Sequence, residues 1–350
     1  MTRFLPYMIS NGLFPSSQHP QGSSRKLAPD IIPGLMTAHA INRQTLQTLS
    51  GLSNVRAMCD FLLVWGVIAA AFAGAMVLNR GYAYVLAILV IGSRQNALAT
   101  LAHEGWHGLL FSSRRLNHRA GAWLYSYPVG ILYYHDRDRH LRHHREVGYD
   151  YDPDWINYTS RGRETRGRVL WYLASLLLGR LFFSTLLSFV SRGQPRIGVE
   201  SVNNSRKEDR TGVFGELFGV LACQAVLFVS MALISGHWWS YPLLWMLPLA
   251  TFAGFFANFR ALIEHVTNRD DVSPEDRLRD VKAGTLERFF ISPSHFHYHA
   301  LHHAHPSIPH YNLTRGKKEY VEQFGSYPFP VWKGYTVALL THLRGLRSRA

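Results

Sequence analysis

Histidine is the residue through which this sequence could do chemistry. Nineteen of its 350 residues are His, and eight of them fall in three tight groups. His103 and His107 stand in LAHEGWHGLLF, His140, His143 and His144 in HLRHH, and His299, His302 and His303 in HALHH. A neutral imidazole is the commonest side-chain metal ligand, and spacings of three and four put side chains on one face of a helix. Each group can therefore aim two or three imidazoles at a common point. HEGWH alone also fits H-E-x-x-H, in which two His hold zinc and the Glu is the general base of a metalloprotease. A zinc site, however, takes about four ligands, one of them often water. The eight clustered His, with His265 in NFRALIEH beside them, exceed that need. Two nitrogen-rich sites for iron, copper or zinc would use this many. Cys59 and Cys223 are the only cysteines, too few for a disulfide framework, a Cys-rich zinc site or an iron–sulfur cluster.

Ligands this far apart in the chain must be gathered by the elements between them, and those elements are apolar. Phe61–Leu78 and Tyr82–Leu101 read as spanning helices joined by a turn at Asn79-Arg80-Gly81. Val213–Ile234 and Trp238–Asn258 read as a second hairpin, turned at Ser235-Gly236-His237, with Trp238, Trp239 and Tyr241 at the level of an aromatic belt. Glu216 is tolerable there because it stands near an end. Val169–Val190 is also apolar, but Arg161, Arg163, Arg166 and Arg168 precede it, and Arg192, Arg196, Arg206, Lys207 and Arg210 follow. With Arg180 in its middle, it reads as interfacial or re-entrant. Four spans leave an even number of crossings between any two histidine groups, so all the groups share one side. The basic loops make that side the cytoplasm. The formal charge of +14 is concentrated between the spans, which suits anionic lipid or an acidic partner and argues against nucleic acid. The expected fold is an all-α integral membrane protein, with four transmembrane helices in two hairpins and a cytoplasmic helical cap carrying the histidines. Residues 1–55 are expected to be a cytoplasmic arm, without a cleavable signal peptide because Pro6, Asn11 and Pro15 interrupt its apolar residues. Residues 56–313 form the membrane domain and 314–350 a cytoplasmic tail.

HxxxH, HxxHH and HxxHH, in that order around two membrane hairpins, resemble the membrane-bound fatty acid desaturase and hydroxylase superfamily. The resemblance runs from about Arg94 to Leu313. HEGWHGLLF is similar to the first box, HLRHHREVGYDYDPDW to the second, and YHALHHAHPSIPHYNL to the third. GSRQNALATLAHEGWH and NFRALIEH look most like a bacterial subgroup that includes rhizobitoxine-type desaturases, some of which act on a small amino-acid-derived ether. The resemblance implies that His103, His107, His140, His143, His144, His265, His299, His302 and His303 ligate two irons. It also implies O2 as co-substrate and removal of hydrogen from an unactivated C–H bond.

By the same resemblance the reaction is a desaturation, with hydroxylation the alternative inside the superfamily. An intramembrane zinc protease using HEGWH, or a metal-transport protein, would be the readings from other classes. In the di-iron reading that the resemblance implies, Glu104 would orient an imidazole, a role open also to Asp152 and Asp154. His295 and His297 stand where many relatives carry Asn and are placed outside the ligand set, and His135 is left open. Electrons would come from a separate ferredoxin-like carrier and its reductase, since the sequence shows no cytochrome b5-like domain or flavin fingerprint. The location implied is a bacterial cell membrane, multi-pass, with the boxes and both termini cytoplasmic. Arg94, nine residues before His103 and about 13 Å away along a helix, is with Gln95 the candidate to hold a substrate carboxylate or polar head. His19, His39, His118, His237 and His342 read as arm, loop or tail residues. Nothing in these motifs separates a lipid-linked acyl chain, a carrier thioester and a small free molecule.

Overall fold

The computed structural model describes residues 41–147, 151–158, 165–192, 212–265 and 278–346. Most of the expected N-terminal arm, with His19 and His39, lies outside the described residues, as do Arg161, Arg163, Arg196, Arg206, Lys207 and Arg210.

Helix α1 (Arg43–Leu49) starts on Asn42, whose side chain accepts from the Thr45 amide, and α2 (Asn54–Leu78) starts on Ser53, which caps the Arg56 amide. Such oxygens satisfy amides that the first turn of a helix leaves without partners. Asn79, in the left-handed conformation at φ 45°, ends α2 and turns the chain into α3 (Gly81–His107). The helix therefore continues past Leu101, where the apolar run stops. Its residues from Ile91 to Gly105 are buried almost without interruption, so protein contacts replace lipid around its polar second half. Gly108 at φ 80° stops it one residue after His107.

Helix α4 (Arg114–Ala120) runs into a π-helical turn at Gly121–Ser126 and a 3-10 turn at Tyr127–Val129, and both pack against α3. Next come α5 (Tyr133–Glu146), α6 (Trp155–Tyr158), α7 (Arg166–Leu177) and α8 (Arg180–Arg192). The segment read as interfacial is thus two short helices, bent by 71° at Gly179, not one straight crossing. Its second half exposes Phe183, Leu186 and Leu187. Helix α9 (Val213–Ser235) and the run Pro242–Glu264 form the second pair of spans. The latter opens with π-helical turns at Pro242–Met246 and Leu249–Ala253 and finishes as α10 (Gly254–Glu264).

Beyond α10 lie β1 (Asp280–Val281), α11 (Thr285–Phe290), α12 (His299–Ala304), α13 (His310–Phe324), β2 (Val331–Trp332) and α14 (Tyr335–Gly345), with β1 and β2 paired in parallel. In this part of the chain Tyr335 and Ala338 are buried against Val169, Leu173, Phe259 and Leu262 of α7 and α10. Leu49 of α1 likewise packs with Leu301, Ile308 and Leu313.

Among the described residues, four helices are long and apolar enough to cross a membrane: Asn54–Leu78, Gly81–His107, Val213–Ser235 and Pro242–Glu264. The molecule is a multi-pass integral membrane protein. Its inner span is α3, with 67% of its most apolar window buried, against 17% for α2 and 11% for α9. Gly92 makes that central position possible, because a Cβ there would lie 2.5 Å from Phe252 Cβ and 3.1 Å from the Pro248 carbonyl oxygen. The C-terminal ends of α3 and α10 then emerge on the same side, under the helices that follow.

Candidate metal centre

Helix α3 delivers His103 and His107 on its last turn, α5 delivers His140, His143 and His144, α10 ends at His265, and α12 delivers His299, His302 and His303. These nine imidazoles meet in two adjacent groups. His103, His107, His140, His144 and His302 form one, and His143, His265, His299 and His303 the other. Within each group the potential ligand atoms all lie within 4.8 Å of one another. The groups abut where the His144 and His303 rings stack, 4.0 Å between centroids.

The helices are held at their starts by carboxylates from elsewhere in the chain. Glu216 of α9 accepts from the Tyr134 amide (2.8 Å) and the His135 amide (3.2 Å) at the start of α5. Asp280 of β1 accepts from the Ala300 amide (2.9 Å) at the start of α12. Glu104 of α3 accepts from the His310 amide (2.9 Å) at the start of α13. A negative charge is favourable at a helix N-terminus, where unpaired amides and the helix dipole point at it. Glu216, a blemish in the apolar pattern, is thus a fastener of the second box. Glu104 points at the start of α13, beside the His310 ring.

In the second group the imidazoles are also oriented from behind. His143 Nδ1 lies 2.9 Å from both oxygens of Asp152, which also accepts from Tyr158 Oη and the Asp154 amide. His265 Nδ1 lies 3.0 Å from the Ala261 carbonyl, and its ring stacks on Tyr158 at 4.3 Å. Both histidines turn Nε2 inward, 3.3 Å apart. Asp154 instead faces Arg139, 3.5 Å away.

The donor set suits a metal. Both ring nitrogens of His144, His302 and His303, and Nδ1 of His103, are buried with no hydrogen-bond partner. Buried polar atoms are normally satisfied, and a cation between the rings would partner one nitrogen of each. Burial, followed by the neighbouring imidazoles, holds His140, His144 and His303 well below the usual imidazole range. Burial likewise lowers His265 to about 3, so its ring stays neutral, as a ligand must be. Burial also pulls on His143, but the hydrogen bond and charge of Asp152 outweigh it and raise this one group.

The remaining candidates fall outside both groups. Arg94 donates to the Phe289 carbonyl and lies over the Phe289 ring, 3.9 Å from its centroid. Gln95 donates to the Trp245 carbonyl at 2.9 Å. Both side chains tie α3 to neighbouring segments. His295 approaches Thr314, and His297 packs on Tyr298. The backbone of His135 is held by Glu216.

A sequence profile for the fatty acid desaturase family matches residues 80–335, a stretch that contains all nine histidines. The chain belongs to the fatty acid desaturase family. As a member it is an oxidoreductase of the membrane di-iron desaturase and hydroxylase superfamily, with a histidine-box di-metal site, and the protease reading of HEGWH is set aside. It is 26% identical over 239 residues to the dihydrorhizobitoxine desaturase of Bradyrhizobium elkanii, covering 67% of each chain. To the β-carotene ketolase of Paracoccus sp. (strain PC1) it is 28% identical over 229 residues, which is 63% of this chain and 74% of the relative. An sn-1 acyl-lipid omega-3 desaturase (ferredoxin) of Synechocystis is 24% identical over 302 residues, 81% of each. The substrates named for these relatives differ.

Proposed function

We propose that this family member is an O2-dependent desaturase in which the two histidine groups each hold one iron. His103, His107, His140, His144 and His302 would hold the first, and His143, His265, His299 and His303 the second. The observation that carries this reading is the convergence of nine buried imidazoles on two adjacent points. When bound, such an iron pair supplies the oxidising power to take hydrogen from an unactivated C–H bond. The chain's own part is to keep the rings neutral, orient them and exclude water.

The substrate proposed is an acyl chain or a small carboxylate-bearing molecule, in keeping with the names of the two desaturase relatives. Oxygen insertion is the second reading, and the similarity to a β-carotene ketolase speaks for it. An external carrier must deliver electrons, and one relative's name specifies ferredoxin. The net charge of +14 would draw an acidic carrier to a cytoplasmic histidine side, faster at low salt.

The test is metal analysis of the detergent-purified protein beside His302→Ala. Two irons per chain, with loss in the variant, are expected. One zinc that survives the substitution would overturn the reading. Incubation with candidate acyl and amino-acid-derived substrates, a reductant system and O2, followed by mass spectrometry, separates the outcomes: loss of two hydrogens marks desaturation, gain of one oxygen marks insertion.

A further inference from the structure

Glu264 lies wholly buried at the last turn of α10, immediately before His265. Its Oε1 accepts from the Tyr335 hydroxyl at 2.5 Å. Its Oε2 lies 3.3 Å from His299 Nδ1 and 3.3 Å from Arg260 Nε, close approaches that fall short of hydrogen bonds, since all three atoms are buried without a hydrogen-bond partner. Tyr335 is itself fully buried and is the first residue of α14. Arg260 reaches Thr100 of α3 with another nitrogen, at 3.3 Å. The carboxylate therefore joins three parts of the fold at the back of one imidazole.

His299 Nε2 faces His265 Nε2 at 3.3 Å, as His265 faces His143. Three rings of the second group thus turn Nε2 toward the common point and have an oxygen near Nδ1, hydrogen-bonded for His143 and His265 and a 3.3 Å approach for His299. That oxygen belongs to Asp152 for His143, to the Ala261 carbonyl for His265, and to Glu264 for His299. An acceptor behind Nδ1 keeps the proton there, leaves the Nε2 lone pair free and makes the ring a stronger donor.

We infer that Glu264 is a positioning residue for the second metal point. It fixes the tautomer and angle of His299, and Tyr335 of α14 holds Glu264 in turn. The C-terminal helix is thereby coupled to one of the two metal points and not to the other. This inference rests on the reading that His143, His265, His299 and His303 hold a metal.

The experiment is titration of metal-stripped, detergent-purified protein with Co2+, followed by ligand-field absorption and by bound metal after gel filtration. The proteins compared are wild type, Glu264→Ala, Glu264→Gln, Tyr335→Phe and His299→Ala. Two bound Co2+ are expected in wild type; fewer would overturn the two-metal reading itself. With two in wild type, Glu264→Ala should weaken one binding step roughly 10–100-fold and leave the other in place, matching the step lost in His299→Ala. Glu264→Gln, whose carbonyl still accepts from Nδ1–H, should recover part of that loss. Tyr335→Phe should weaken the same step by less. Two steps of wild-type affinity in Glu264→Ala, or equal weakening of both, would overturn the positioning role. If Glu264→Ala does not elute as a single folded species, Glu264→Gln and Tyr335→Phe decide: a selective shift of one step supports the role, and no shift or an equal shift of both overturns it.

Discussion

At the scale of single residues, carboxylates divide into those that face imidazoles and those that fasten helices, and their sequence positions alone do not sort them. Glu104 stands beside His103 in the first box yet bonds the amide of His310. Glu104→Gln should therefore leave the metal content unchanged while weakening the start of α13. The cost expected is roughly 0.3–2 kcal/mol, the range for a charge at a helix N-terminus. Thermal unfolding in detergent and iron analysis of the same sample check it, and lost iron without lost stability would contradict it. Eight of the imidazoles were legible, because side chains aimed at one point from a helix recur at three and four, and His265 was added by the resemblance. Asp152 was legible too, standing close after the second box. Glu264 was not, since Arg260 four residues earlier offered a complete local account of its charge. Its other partner, Tyr335, stands 71 residues away, and no short-range pattern predicts such a contact.

At the scale of elements, hydropathy found the spans and the ends at Leu78 and Val213, but α3 and the fourth span run past their expected C-terminal ends at Leu101 and Asn258. Hydropathy measures what lipid tolerates, whereas the second half of α3 is surrounded by protein, so its polar run Ser93–Asn96 is buried in hydrogen bonds. Ser93 donates to the Phe289 carbonyl (2.9 Å) and Asn96 to that of Ile291 (3.0 Å). These bonds hold the segment leading to the third box against the helix that carries the first. The close approach at Gly92 belongs to the same contact surface. Gly92→Ala places a methyl group where Phe252 Cβ already lies and should destabilise the protein by about 1–3 kcal/mol, the usual cost of overpacking. A melting temperature equal to that of wild type would show that the two spans part without cost. The short helix α11 left little trace in the sequence because its six residues are too few for a periodicity to be read.

At the scale of the whole molecule, the centre is a large buried store of neutral bases. An unfolded imidazole takes up a proton near pH 6.5, whereas His265 in the fold does so only near 3. His140, His144, His299, His302 and His303 are likewise held well below the usual value by burial first. Between those limits the unfolded chain binds more protons, so the stability these groups provide is complete above about pH 6.5 and is lost as pH falls toward 3. His143, raised through Asp152, acts in the opposite sense and is outnumbered. Metal-free protein should therefore melt at a lower temperature at about pH 5 than at about pH 7.5, and equal melting temperatures would contradict the sign.

The fourth span adds a constraint of a different kind, one of counting. Its π-helical turns at Pro242–Met246 and Leu249–Ala253 each take one residue more than an α-helical turn. Every residue in a helix advances the direction of its successors by about 100°. Arg260 and Glu264 face the centre only because both extra residues have been counted. Removing one residue from Leu249–Ala253, far from any ligand and without changing a charged group, would swing Glu264 away from His299 and Arg260 away from Thr100. This stretch can thus exchange one apolar residue for another, while its length is fixed by the metal centre it leads to.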